Sequence, residues 1–246
     1  TAISNDSGYL TSNWSTLCKR YGHSYSYVGG NRDDYPQTVT SKYPITNVKR
    51  ITTGTSSSKP ISHGAGHCTV PVNGKKINIV PCHMWPQSYG YGVSSSNQSA
   101  SSAANEGDYY REYEMKYIVD NTVKKSAYAN EEYWILGGDT NSKSPKDKWH
   151  YSSSVGDVKY LPHKYVIENT NLKDVIADYY PSGTYFMSST YGDNRIDIMY
   201  ASPSMFNRIT NSIMLMDEWT SLLPAWSYHT SFRDPSDHRP VLVDFN

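Results

Sequence analysis

The chain has 246 residues, with 23 Lys plus Arg balanced by 23 Asp plus Glu. A formal charge of zero speaks against tight, sequence-independent binding of long polyanions. The length is enough for one large core, so residues 1–246 are read as a single domain, and no apolar run approaches a membrane span.

Tyr outnumbers Phe 23 to 4 and charges are sparse, a surface of hydroxyls and amides that points to a secreted, periplasmic or cell-surface protein. Three Cys are too few and too odd in number for a disulfide framework.

In chain order, residues 11–22 read as a short helix with Trp14, Leu17, Cys18 and Tyr21 as its apolar stripe and Gly22 as its stop. Residues 25–28 alternate as a strand ending at Gly29-Gly30. A polar loop follows, then an extended run over 38–41 that turns away at 42–45. The Ser-, Thr- and Gly-rich stretch 52–59 is a surface loop. Residues 67–72 and 76–82 form a hairpin about Asn73-Gly74. With a two-residue turn, Cys68 faces Ile79 and Cys82 projects to the other face, so the two do not bridge; a three-residue loop would reverse this. His83 falls at the end of the second arm.

Residues 94–104 are Ser-rich and read as flexible. Residues 106–125 are the clearest helix, acidic in the first turn and basic at Lys124-Lys125. Tyr110, Tyr113, Tyr117 and Ile118 form its stripe, with Met115, Val119 and Thr122 alongside. Tyr133-Trp134-Ile135-Leu136 is a short buried strand that Gly137-Gly138 ends abruptly, and Asp139 and Asn141 follow with their side chains facing the same way. Residues 142–156 are a charged, aromatic loop, and 172–179 a second helix. Residues 195–200 are a strand with Ile196, Ile198 and Tyr200 on one face and Arg195, Asp197 and Met199 on the other. Another strand covers 212–216. The loop 224–235 carries Trp226, Tyr228, His229 and Phe232, and the chain closes with Ser236-Asp237-His238-Arg239-Pro240 and a strand over 241–245. Many short strands with few helices predict two packed sheets with helices outside.

His83, Asp139, Asn141, Asp197 and His238 each lie within or near the end of a strand. Each has a purely structural explanation: a histidine bonded to a carbonyl, an Asx turn, a ladder partner for Arg195. Taken together, two imidazoles and several carboxylates without a nucleophile elbow suit attack by water on phosphorus. The histidines would bond non-bridging oxygens and a divalent metal would neutralise the leaving oxygen. His63 and His67 have a zinc-like spacing, but that spacing gathers ligands only on a helix, and Gly64-Ala65-Gly66 is a poor helix.

The segments His83-Met84-Trp85, Gly137-Gly138-Asp139-Thr140-Asn141, Arg195-Ile196-Asp197 and Ser236-Asp237-His238-Arg239-Pro240-Val241, in that order, resemble the endonuclease/exonuclease/phosphatase superfamily of metal-dependent phosphoesterases. The resemblance runs from about Trp14 to the C-terminus. It implies an α/β (α+β) fold, a four-layer α/β/β/α sandwich of two mostly antiparallel sheets. It also implies that Asp139 orients or deprotonates the attacking water and that Asn141 fixes the phosphate. His238, held by Asp197, would contact one phosphate oxygen and His83 a second, with Asp237 near the metal. Mg2+ is the expected ion, with Mn2+ or Ca2+ as alternatives. Thr140 replaces an aromatic residue and is expected to matter little if it points away. The family's first two strands, with an Asn and a metal-binding Glu, have no counterpart here, so the stretch is expected to be part of a longer polypeptide.

The loop from Trp219 to Phe232 and the loop after Asn141 are expected to rim the site. Zero charge and aromatic loops favour a small or lipid-like phosphoester over long nucleic acid. Two other readings are an exported glycan-binding module with a degenerate site and a nuclease. No protein partner is evident.

Overall fold

In the computed structural model, which describes residues 11–31, 35, 37–190, 193–215 and 238–246, the chain runs α1 (Thr11–Arg20), β1 (Tyr25–Gly29), β2 (Gln37–Ser41), β3 (Thr46–Ile51), β4 (Ala65–Val72), β5 (Lys75–His83), α2 (Gln98–Ala103), α3 (Glu106–Asn121), β6 (Tyr133–Asp139), α4 (Leu161–Asn169), β7 (Lys173–Asp174), β8 (Asp197–Ala201), α5 (Pro203–Phe206), β9 (Ile209–Met214) and β10 (Val241–Phe245). Six strands form a mixed sheet in the order β3-β4-β5-β6-β8-β7, and β1-β2 and β10-β9 are separate two-stranded ribbons. Only β5 and β6 pair in parallel within the large sheet. The connection between them carries α2 and α3, as a parallel crossover requires.

Alternation along the strands divides the core into two layers. Val80, Cys82, Leu136, Ile198 and Tyr200 pack with Met115, Ile118 and Val119 of α3 and Val166 of α4. On the opposite face Ile77, Ile135 and Met199 join Val175, Ile176, Met205 and the ribbon residues Val241, Val243 and Phe245. The result is an α/β sandwich: helices on one face of a six-stranded sheet, a β ribbon on the other. Among the described residues no helix is long and apolar enough to cross a membrane.

Asn73 and Gly74 both take positive φ (48° and 77°), the backbone of a two-residue hairpin turn. Cys68 therefore faces Ile79, and all three cysteines are buried and free.

Several local expectations fail for identifiable reasons. Gly137-Gly138 does not end the strand: β6 continues through both to Asp139. A Cβ at Gly138 would lie 1.9 Å from the Cys82 carbonyl oxygen, so the glycines permit close strand packing rather than breaking it. β3 has no apolar alternation because it is an exposed edge. The Ser-rich stretch contains α2, where the buried Ser101 hydroxyl accepts from Gly90 N at 2.8 Å. Residues 172–179 are not a helix: Asp174 is in β7, and its carboxylate accepts from the amides of Ile176 and Ala177, an Asx turn that replaces helical bonds. The helix that does form after the loop is α4, just upstream, whose Pro162 lies in its first turn. Finally, α3 ends at Asn121 and buries Asp108, Arg111 and Glu114 as well as its apolar stripe.

Candidate active site

Pairing register gathers three of the five site positions. The parallel β5–β6 ladder sets His83 opposite Asp139, and the antiparallel β6–β8 ladder sets Asp139 opposite Asp197. Directly paired residues project on the same face, so one imidazole and two carboxylates share one sheet edge. His238 joins them through a bridge to Thr190. Its Nδ1 donates to Asp197 Oδ2 at 2.6 Å, and its Nε2 lies 3.9 Å from Asp139 Oδ2. On the other side His83 Nε2 is 3.6 Å from the same Asp139 oxygen. The four side chains are 19–28% exposed, sheltered but open to a ligand.

Asn141 has φ 48° and donates its backbone N–H to Asp139 Oδ1 at 2.9 Å. That bond fixes one carboxylate oxygen in the turn and leaves Oδ2 on the side of the two histidines. The Asn141 amide donates to Met84 O at 3.1 Å, and Met84 N donates to Asp139 O at 3.0 Å. The chain leaving β5 and the turn leaving β6 are thus sewn together. Ser189, fully buried, does the same for the other half: its hydroxyl accepts from Ile196 N and Asp197 N (2.9 and 3.0 Å), and its carbonyl from Arg239 N at 2.8 Å. Nothing in its Ser-rich neighbourhood distinguishes it in the sequence.

Thr140 points inward and is fully buried, so the condition under which it was expected to matter little is not met. Its hydroxyl donates to Ile196 O at 2.7 Å and accepts from His163 Nε2 at 2.9 Å, while Tyr200 OH bonds His163 Nδ1 at 2.9 Å. Thr140→Val is expected to cost about 1–3 kcal/mol by stranding buried polar partners. Urea titration checks this; an unchanged variant contradicts it.

Burial pushes His163 down to about 4. In the unfolded chain it titrates near its ordinary value, so between about pH 6.5 and 4 the unfolded state binds more protons. Stability from this group is complete above that window and is lost as pH falls through it. Asp147, raised by burial to about 6, acts in the opposite sense over part of the range. Comparison with His163→Gln, which shares Asp147, isolates the histidine. From pH 7 to 4 the wild type should lose roughly 3 kcal/mol more than the variant. Parallel stability profiles would contradict this.

The zinc-like pair separates. His63 packs against His83, with ring centroids 4.5 Å apart, while His67 stacks on Trp134 and bonds Asn78 Oδ1 at 3.0 Å on another part of the sheet. In the loop after Asn141, His150 stacks on Phe186 at 3.6 Å and Lys143 lies 3.8 Å over the Tyr151 ring. His150 and Tyr151 thus pack within the loop region, while Trp149 is 47% exposed. Asp237 and the segment Trp219–Phe232 lie outside the described residues.

Among the described residues, Asp139, Asp197 and His238 each offer a ligand atom, all within 4.8 Å of one another. Two carboxylates and an imidazole fit a divalent cation. All three were expected in catalytic roles, and the metal-capable cluster emerges only in three dimensions.

No family model matches the sequence, and no curated protein matches it. Solved structures do. An AP endonuclease from Archaeoglobus fulgidus aligns with TM-score 0.60 and 15% identity, covering 100% of this chain and 86% of that one. The 3'-5' exonuclease NExo from Neisseria meningitidis gives 0.61 and 14%, with coverage of 100% and 86%. An endonuclease/exonuclease/phosphatase family protein from Leptotrichia buccalis gives 0.54 and 13%, with coverage of 99% and 81%. At such identities the likeness concerns architecture, and on that ground the chain has the fold of the endonuclease/exonuclease/phosphatase superfamily.

Proposed function

We propose that this chain hydrolyses phosphoesters with a divalent metal, using the cluster at the ends of β5, β6 and β8. The observation that carries the reading is the convergence of His83 and His238 on Asp139 Oδ2, with Asp197 bonded to the far side of His238. Asp139 orients the attacking water and accepts its proton. Asp197 holds the proton on His238 Nδ1 and stabilises the ring's charged form, so that Nε2 can donate to a non-bridging oxygen. His83 contacts a second oxygen, where negative charge builds as the water attacks. A metal held by Asp139 and Asp197, with Asp237 as a further ligand, would supply Lewis-acid stabilisation of that charge; Mg2+ is the ion proposed, with Mn2+ or Ca2+ as alternatives.

The substrate proposed is a small or lipid-like phosphodiester rather than long duplex nucleic acid. Zero net charge supports this, because long nucleic acid is held chiefly by a surplus of basic residues. The test is hydrolysis of bis-p-nitrophenyl phosphate, a phosphatidylcholine-type lipid and plasmid DNA, with and without magnesium. Magnesium-dependent cleavage of the small or lipid ester is expected, and EDTA should abolish it. Inertness toward every phosphoester sinks the reading; preference for plasmid, with binding that falls steeply with salt, replaces the substrate by nucleic acid.

A further inference from the structure

Glu114 is fully buried on α3, and its carboxylate is bonded to groups outside the helix. Its Oε1 accepts from Ser62 N at 2.7 Å and Ser62 Oγ at 2.6 Å, and its Oε2 accepts from Trp85 N at 2.8 Å. One carboxylate therefore joins two loops, the one that carries His63 and the one that leaves β5 just after His83. The His63 loop is held on other sides as well. Its carbonyl accepts from Asn31 N at 2.7 Å and Gln37 Nε2 at 3.2 Å. Gly64 follows with φ 76° in a space where a Cβ would meet Asn31 N at 2.6 Å. The His63 ring, 8% exposed, lies between Tyr35 (centroids 4.8 Å), His83 (4.5 Å) and Trp85 (6.5 Å).

A loop so thoroughly constrained, ending in a ring packed on a site histidine, is built to hold that histidine in place. We propose that Glu114 and His63 are positioning residues for His83: the Glu114 carboxylate locks the two loops together, and the His63 ring forms the wall against which His83 is oriented. Burial raises the Glu114 carboxyl above its usual range, and its three donors and His63 oppose that shift. Glutamine cannot replace it. An amide offers one oxygen, so its NH2 group would face the N–H of either Ser62 or Trp85 and release one loop.

The kinetic arm of the test rests on the phosphoester reading above; the spectroscopic arm does not. Glu114→Gln and His63→Ala should each lower kcat/KM for bis-p-nitrophenyl phosphate about 10- to 100-fold, and should shift the His83 ring resonance in a side-chain 1H–13C spectrum. His63→Phe keeps a flat ring against His83 and should stay within about threefold of wild type. If Glu114→Gln fails to fold, the His63 pair decides alone. Variants within twofold of wild type with an unmoved His83 resonance overturn the inference, as does His63→Phe behaving like His63→Ala. If the wild type cleaves no phosphoester, the parent reading fails, and the His83 resonance still decides whether these two residues hold it.

Discussion

Replacing His238 by alanine is expected to cut phosphodiester turnover by about two to four orders of magnitude, with thermal stability changed little. The side chain is 28% exposed, so its loss opens no deep cavity. What disappears is the donor facing the phosphate, the ring that Asp197 holds in place. Asp197→Asn provides a sharper version. Asp197 accepts from His238 Nδ1 at 2.6 Å, and an amide turned to present N–H would keep Nδ1 unprotonated, so the ring could no longer carry the charge that Asp197 stabilises. Turnover should fall with the fold intact, and added metal should not restore it fully. A His238→Ala enzyme retaining more than a tenth of wild-type kcat would remove His238 from the mechanism.

The largest stability effect is expected at Arg195. Its guanidinium is 1% exposed between two buried carboxylates: Nε and Nη2 reach Asp147 Oδ2 at 2.8 Å, and Nη1 and Nη2 reach Asp174 at 3.1 and 2.8 Å. The two acids respond differently. Burial would raise both, but at Asp174 the fork of Arg195 and the amides of Ile176 and Ala177 outweigh it and hold the carboxyl low. Asp147 has fewer donors and is raised to about 6. Arg195→Met leaves both acids in the interior without a counter-charge, and unfolding free energy should drop by about 3–5 kcal/mol, a large share of a typical domain's stability. Urea titration measures this, and a loss below about 1 kcal/mol would mean that the triad behaves like a surface pair. Because Arg195 lies two residues before Asp197, loosening it should also lower turnover.

Much of the candidate site's placement was legible because its residues sit where strand patterns stop. His83 closes a hairpin arm that Asn73-Gly74 announces, and Asp139 follows a run of apolar residues with nowhere to go but the core. Elements failed where the local signal and the tertiary role diverged. Gly137-Gly138 carries the signature of a strand end, yet here it lets β6 pass close beside β5. Residues 172–179 have helix-forming composition, but Asp174 is drawn to Arg195 and to its own turn amides. The stripe on α3 reads as plain core packing, although its buried face also carries the Glu114 carboxylate on which two loops hang.

By itself the sequence determined which chemistry-bearing residues terminate strands, the Asn73-Gly74 turn of the hairpin, and the layered α/β character. Those properties depend on near neighbours along the chain, through side-chain alternation and turn backbone. Only the tertiary structure decided that His63 joins His83 while His67 does not, that Thr140 faces inward to His163, and that Asp139, Asp197 and His238 form a metal-capable trio. Each of these depends on which strands lie side by side and on what fills the space between them. A carboxylate's partners are set by distance across the fold, and the spacing of letters in one strand carries no record of the strand that comes to lie beside it.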